Sequence, residues 1–382
     1  MSGDLTIRRA EGGRDRRRFL DLPLQLYRDD PNWVPPLRRA AARLYAGKTA
    51  FFQHAEMALL LAQRDGRDVG RIAAIHNRAH NEHHADRVGF FGFFECLPDD
   101  AEAAAALLAA AENWLRPRGL ASIRGPVNPS MNAECGLLVD GFGSRPFALM
   151  PYNPPAYPAL LESAGLRKVK DLYALKIVIE NMVPGTEARE RLDRLAAALH
   201  RRHPEVALRP VDMRNYKREV VRFMGVFEEA RRNNWGYVPV TERELLETAG
   251  DMKGIIDPEI VLVAEVDGEP AGALLAIPNI NRGLALAKGR LCPLGLYRFL
   301  REMRRVWDMR VFGVAALEKH RTKGITALLF LEVILRGSVR GYRVAEASWI
   351  LEDNLVSAQT ITNAFKSEHY KTYRIYEKPI AE

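Results

Sequence analysis

Residues 60–77, LLAQRDGRDVGRIAAIHN, and residues 262–279, LVAEVDGEPAGALLAIPN, carry one pattern written twice. Ala62, Asp65, Gly66, Gly70, Ala74, Ile75 and Asn77 recur as Ala264, Asp267, Gly268, Gly272, Ala276, Ile277 and Asn279. Each stretch reads as a β-hairpin: two apolar runs flank Asp-Gly, where Gly takes positive φ at no steric cost. A hairpin that recurs after roughly 200 residues signals a duplicated domain, because solenoid repeats are far shorter.

The likeness extends outward from the hairpins. Upstream, residues 6–33 and 208–235 each read as a short strand, an amphipathic helix and Asn-Trp. Downstream, a helix holding Ala106-Leu107-Leu108 and stopping before Gly119 parallels one holding Ala327-Leu328-Leu329 and stopping before Gly341, with Gly where a helix end favours it. Each helix feeds an apolar strand (121–125 and 344–350), then a further helix and a closing strand (172–179 and 372–378). Each half thus reads β–α–hairpin–β–α–β–α–β. Leu192, Leu195 and Leu199 stand at helical spacing between the halves. The expected division is a domain over 1–183, a connecting helix over 184–206 and a domain over 207–382.

Composition narrows the function. The chain has 382 residues, 47% hydrophobic and 27% charged, which is ordinary globular usage. Its longest apolar run, residues 103–111, is far below the ~20 residues that span a bilayer, and the first residues lack the apolar stretch of a secretory signal. Cys96, Cys135 and Cys292 form neither a disulfide framework nor a CxxC pair, so a cytoplasmic setting is expected. Fifty-six Lys and Arg against 48 Asp and Glu give +8, which favours anionic partners. His76, His80, His83 and His84 crowd a strand end and loop with no Cys to complete a tetrahedral set, so no metal is expected. GxSxG, Cys–His and Walker motifs are absent.

One loop carries chemistry. In FGVAALEKHRTKGITALLFLEVI (312–334) a strand runs into a helix. The first N–H groups of such a helix are free and equivalent to about half a positive charge, which suits phosphate. Gly324 lets a diphosphate approach the backbone, and Arg321 and Lys323 add charge. The pattern Arg321-x-x-Gly324-x-Thr326, set within this order of elements, resembles the phosphate loop of the GNAT superfamily of N-acyltransferases. There Arg/Gln-x-x-Gly-x-Gly/Ala binds the pyrophosphate of acyl-coenzyme A. Thr326 departs from that pattern, since a small residue is usual.

The resemblance implies an α+β fold of two GNAT-like domains, each a mostly antiparallel central sheet with flanking helices. It implies an acyl-coenzyme A or acyl-carrier thioester as donor, and as acceptor the primary amine of a small molecule such as an amino acid or long-chain amine. Donor contacts then fall on Val314, Ala315, Ala316 and Leu317 of the strand, on Arg321, Thr322, Lys323, Gly324, Ile325 and Thr326, and on Asn354, which matches an Asn that starts the next helix in the family. A strand amide within 310–317 would supply the oxyanion donor. The helical position of the family's acidic tyrosine holds Ile361 and Thr362, so the resemblance moves that role to Tyr370 or Tyr373. For a base the residues themselves offer Glu346, near Glu318 and Glu352. Alternation puts Glu346, Ser348 and Ile350 on one strand face, and a carboxylate amid apolar residues needs a partner. A salt bridge to an Arg on a neighbouring strand explains it equally.

The first half offers a contrast. Positions 321–326 fall on Asp100–Ala105, within LPDDAEAAA (97–105), so Asp99 or Asp100 caps its own helix and repels a diphosphate. The donor therefore belongs to the second half. The first half keeps RGPVNPSMNAECG (124–136) and MPYNPPAYP (150–158), in which Asn128, Ser130, Asn132, Glu134, Tyr152, Asn153 and Tyr157 are candidates for the acceptor side. Turn-building accounts for the same Asn-Pro and Pro-Pro steps. The basic balance suits an acidic acyl-carrier protein or a substrate at a membrane interface. Two alternatives stand beside this reading: an aminoacyl-tRNA-dependent transferase of tandem GNAT-like fold, for which tRNA is the partner, and a non-catalytic acyl-coenzyme A or partner-binding descendant.

Overall fold

A computed structural model describes residues 4–380, and its chain divides into two units. Unit 1 comprises Met1–Leu172, Asn281–Arg301 and Lys371–Glu382; unit 2 comprises Tyr173–Ile280 and Glu302–Tyr370. In unit 1 the chain forms β1 (Leu5–Arg9), α1 (Gly13–Leu26), α2 (Arg38–Tyr45), β2 (Ala55–Arg64), β3 (Arg67–Asn77), α3 (Arg78–His84), β4 (Val88–Cys96) and α4 (Ala101–Leu115). It continues through β5 (Ser122–Gly125), β6 (Val127–Asn128), β7 (Glu134–Cys135), β8 (Leu137–Asp140) and α5 (Tyr157–Ser163). Strand β9 (Arg167–Val178) begins in unit 1 and ends in unit 2.

Unit 2 continues with α6 (Glu187–Arg202), β10 (Val206–Pro210), α7 (Tyr216–Arg231), α8 (Glu242–Met252), β11 (Val261–Val266) and β12 (Glu269–Pro278). Then α9 (Asn281–Ala287) and most of α10 (Pro293–Met303) return to unit 1. Unit 2 resumes with β13 (Asp308–Ala316), α11 (Ile325–Val339), β14 (Val344–Leu351) and α12 (Leu355–Phe365), and β15 (Glu368–Pro379) passes back into unit 1.

The strand order in unit 1 is β1-β2-β3-β4-β5-β15, with β8 also on β15. In unit 2 it is β9-β14-β13-β12-β11-β10. Only β4–β5 and β13–β14 are parallel among the registered pairs of these sheets. This is the α+β, mostly antiparallel arrangement that the resemblance implies.

The repeated residues have physical causes. Both hairpins turn with positive φ at two successive residues, Asp65 and Gly66 (50° and 76°) and Asp267 and Gly268 (54° and 82°), whose twist matches that of the strands they join. Gly70 and Gly272 recur because a helix lies on each. A Cβ on Gly70 would fall 2.7 Å from Leu107 Cδ1, and one on Gly272 would fall 2.4 Å from Ile325 Cγ2. Over Gly70, α4 buries Ala103, Leu107, Leu108, Ala111 and Leu115; over Gly272, α11 buries Ile325, Leu328, Leu329 and Val333. A second cluster joins Phe223, Val226 and Phe227 of α7 to Val261, Val263, Ala273 and Ala315.

Three features differ from the sequence reading. The closing strands are exchanged: β15 completes unit 1 through Tyr376↔Gly125, Glu377↔Arg124 and Lys378↔Ile123, while the end of β9 lies in unit 2, where Ile179 N–H donates to Arg343 O (2.7 Å). The repeat pattern looks alike whichever sheet receives each strand, so it cannot reveal the exchange. Helix α6 belongs to unit 2 and buries Leu192 in the cluster that holds α11. Residues 78–84 form a helix rather than a loop, capped by Asn77 Oδ1 accepting from His80 N (3.3 Å). Even so, no group of three His, Cys, Asp or Glu that could hold a metal occurs among the described residues. Burial, aided by His84, pushes His80 down to about 3, so it is neutral. No helix among the described residues is long and apolar enough to cross a membrane.

Candidate active site

The centre of unit 2 is a break in an otherwise regular strand. In the β12–β13 pairing Leu275 faces Gly313 and Ala276 faces Val311, so Phe312 is an extra residue that bulges β13. The parallel pairing of β13 with β14 covers Asp308–Val311 against Val344–Ala347 and stops just before the bulge. Phe312, Gly313 and Val314 are half-buried in a strand whose other residues are buried. Among the described residues, no side chain bonds the amides of residues 312–316. A strand that parts from its neighbour in this way offers main-chain donors to a ligand.

Beyond Ala316 and Leu317, both buried, a 3₁₀ turn over Glu318–Lys323 leads to Gly324 and then α11. Gly324 sits at φ +66°, and no side chain caps the first turn of α11. Arg321, Thr322 and Thr326 are exposed around that end. Lys323 is paired with Glu205, and its hydrogen bond holds the Glu205 carboxyl down at about 2. Arg321 stands 4.0 Å from Glu318 with both side chains mostly in solvent, so little opposes its turning to an anion. The expected donor residues therefore cluster around one helix start, with two qualifications. Ile325 is a core residue packed over Gly272, and exposed Asn354 caps α12 by accepting from Ser357 N (3.3 Å).

Glu346 is fully buried on β14 opposite Arg310 of β13. Arg310 Nε lies 3.9 Å from Glu346 Oε1 and donates to Ser348 Oγ (2.8 Å), and Arg310 Nη2 donates to Ser348 O (3.1 Å). Ser348 Oγ in turn donates to Glu346 Oε1 (2.5 Å), and Tyr370 Oη donates to Oε2. Glu346 thus has both the neighbouring-strand Arg and Tyr370 against its carboxylate. Two hydroxyls and a guanidinium satisfy a carboxylate that would otherwise be very costly to bury. Tyr370 itself is half-buried. The guanidinium of Arg310 also lies 4.8 Å from the Phe312 ring, which ties the cluster to the bulge. Tyr373 goes elsewhere: it is buried in unit 1 opposite Leu138.

The sequence reading missed Arg231. This last residue of α7 lies over the Phe227 ring at 4.6 Å. A Cβ on Gly313 would fall 2.2 Å from its Nη2, so glycine there gives the guanidinium room against the bulge. No carboxylate pairs with it among the described residues, and desolvation pushes it down to about 10. The equivalent residue of the first half is Asp29, and that change of sign is the one signal the sequence held.

Unit 1 builds the same place and fills it. Gly92 faces Ala73 as Gly313 faces Leu275, with a register shift just after Gly92 in β4 and just before Gly313 in β13. There, however, a Cβ would fall 1.6 Å from Val127 O, because β6 lies against the glycine. Phe93 N–H donates to Asn128 Oδ1 (2.6 Å). At the start of α4, Asp100 Oδ1 accepts from Ala103 N (3.0 Å) and from Arg64 Nη2 (2.9 Å), while Oδ2 accepts from Arg64 Nε (3.1 Å). Burial would raise Asp100, but the bonds from Arg64 and Ala103 hold it below the usual carboxylate range.

The remaining first-half candidates serve the chain itself. Ser130 Oγ accepts from Asn132 N (3.2 Å) in a turn, and Glu134 faces Asn128 across β6–β7. Asn153 bonds both the N–H and the C=O of Leu138 (2.7 and 3.1 Å). Tyr157 is fully buried, with its hydroxyl 2.9 Å from Glu95 Oε2. Tyr152 Oη donates to Asp30 (2.9 Å), and burial with that carboxylate pushes it up to about 12.

Comparisons with known proteins agree in direction. No family model matches the chain. Over 393 residues it is 35% identical to the bacterial ceramide synthase of Caulobacter vibrioides, spanning 99% of this chain and 98% of that one. It is 31% identical to protein YghO of Escherichia coli over 378 residues, 96% and 93% of the two chains. Among solved structures, a tandem GNAT protein from the clavulanic acid biosynthesis pathway, described as without AcCoA, superposes at TM-score 0.57 with 13% identity and 99% coverage of both chains. A GCN5-related N-acetyltransferase from Sphaerobacter thermophilus gives 0.55 with 16% identity, over 99% and 96%.

Proposed function

The chain belongs to the family it shares with those two relatives and has the tandem GNAT fold, and on that premise we propose that unit 2 transfers a fatty acyl group from acyl-coenzyme A to the primary amine of a long-chain amino alcohol. One observation carries the reading: of two sister helix starts beside two sister bulges, only that of unit 2 is left open. The diphosphate meets the uncapped N–H groups of α11 with Arg321 and Thr326 beside it. The thioester carbonyl meets the amides exposed at the bulge, which stabilise the oxyanion as it forms. Similarity to a ceramide synthase supports an acceptor of the long-chain amine class.

The chemistry needs little else. The amine nitrogen bonds to the thioester carbon, and the carbonyl electrons move onto oxygen. Arg231, a desolvated cation beside Gly313, disfavours a second positive charge there and so favours entry of the neutral amine. Tyr370 Oη accepts the proton that nitrogen sheds while its own proton passes to Glu346. As the C–S bond breaks, the thiolate leaves with the electron pair and takes a proton back along the same route. Arg310 and Ser348 act as positioning residues for Glu346. Unit 1 takes no donor in this scheme.

The test is acyl transfer by the purified chain. Palmitoyl-coenzyme A and a long-chain amino alcohol should give the amide and free thiol in equal amounts. Coenzyme A at 100 times its dissociation constant should stabilise the protein by about 2.7 kcal/mol. Amide formation from acyl-carrier protein or aminoacyl-tRNA alone, with no coenzyme A stabilisation, would overturn the donor assignment.

A further inference from the structure

The link between β12 and β13 has no counterpart of its kind in the first half. Residues 78–87 join β3 to β4 through the short, His-bearing α3, whereas residues 279–307 carry α9 and α10. Within Asn281–Arg301 the sequence holds Arg282, Lys288, Arg290, Arg298 and Arg301, and no Asp or Glu. The segment is firmly seated in unit 1. Asn281 Nδ2 donates to Pro146 O and Phe147 O (2.9 and 3.0 Å), and Arg38 N donates to Gly289 O (3.0 Å). Phe299 packs so closely on Gly283 that a Cβ there would fall 2.7 Å from its ring.

Having buried Gly295 and Phe299, α10 turns most of its other side chains outward. Leu294, Leu296, Tyr297 and Leu300 are 58%, 40%, 61% and 52% exposed, and Leu286 of α9 is 51% exposed. At about 100° per residue, Leu296, Leu300 and Tyr297 fall on one arc centred roughly 105° from Phe299, with Arg301 next to it and Arg298 farther round on the same side. An apolar stripe that keeps its large side chains in water while a short cationic segment surrounds it has the anatomy of a helix lying in a bilayer interface. Nor does this face suit a second copy of itself, because a two-fold contact would set Lys288, Arg290, Arg298 and Arg301 of one copy against the same cations of the other.

We propose that this face seats the protein on a bilayer carrying anionic lipids, with Leu296, Tyr297 and Leu300 entering the headgroup–acyl boundary and the exposed Lys288, Arg290, Arg298 and Arg301 meeting lipid phosphates. The inference is independent of the acyl-transfer reading, since it needs neither donor nor acceptor.

Cys292 provides the probe, because it is exposed at the head of α10 while Cys96 and Cys135 are buried. The full-length chain, labelled at Cys292 with an environment-sensitive fluorophore, is titrated with vesicles of phosphatidylcholine alone or mixed with phosphatidylglycerol. Anionic vesicles should shift the emission to the blue and bind at least about tenfold more tightly than neutral ones, with affinity falling as salt rises. Leu296→Glu with Leu300→Glu should abolish the shift. Arg298→Gln with Arg301→Gln, surface changes that leave the packing of Phe299 alone, should weaken binding by about tenfold or more. Failure of the parent to bind anionic vesicles overturns the proposal, as does equal binding by either variant. So does a protein dimer that Leu296→Glu dissolves while vesicles are ignored.

Discussion

The starts of α4 and α11 are the same place in two copies of one fold, and they meet their unsatisfied N–H groups in opposite ways. Asp100 caps α4 from within and is itself clamped by Arg64. Gly324 merely turns the chain into α11 and leaves the donors to be met from outside. The bulges behave alike: Asn128 occupies the Phe93 amide, whereas Gly313 faces a guanidinium. A duplicated scaffold can thus keep its order of strands and helices while one copy becomes its own ligand and the other leaves the same donors uncapped by its own side chains.

Four experiments would break or sharpen that contrast. Tyr370→Phe should lower kcat by about 10²–10⁴-fold with coenzyme A affinity unchanged, whereas Tyr157→Phe, the buried hydroxyl of unit 1, should leave kcat near the parent value; steady-state kinetics with both variants decides. Gly324→Asp moves the unit 1 solution into unit 2, because Asp tolerates positive φ and supplies a capping carboxylate. It should weaken coenzyme A binding by about a hundredfold by calorimetry, and unaltered affinity would remove the diphosphate from α11.

Acid should act through unit 1. His80 is held neutral down to about 3, whereas an unfolded His takes its proton near 6.5. Its contribution is therefore whole above about pH 6.5 and is lost progressively as pH falls toward 3, amounting to a few kcal/mol at the acid end. His80→Leu should flatten the melting temperature over that window. The smallest effect is expected from Asp100→Ala, about 1 kcal/mol of stability at neutral pH, read by denaturant titration, with coenzyme A binding intact.

Much of this was legible in the residues. Asp65-Gly66 and Asp267-Gly268 declare their turns because so few residues accept positive φ, and the cap at Asp100 follows from a carboxylate placed before an alanine-rich helix. The partner of Glu346 could be read as an Arg on a neighbouring strand, since a buried carboxylate must have one. What stayed hidden depends on pairing across long stretches of chain. The bulge at Phe312 is a matter of register, not composition. Asn128 finds Phe93 only because β6 folds against β4, and Arg231 reaches Gly313 from the far end of another helix. The exchange of β9 and β15 leaves no trace in a local pattern at all.

That exchange also sets a timetable. Residues 376–379 are the outer neighbour of β5, yet some 250 residues must be synthesised between the two. At about 5–20 residues per second the ribosome takes on the order of tens of seconds to supply them. Throughout that interval the first-made sheet keeps a bare margin, and a nascent chain that stalls late would be released with that margin still seeking a strand.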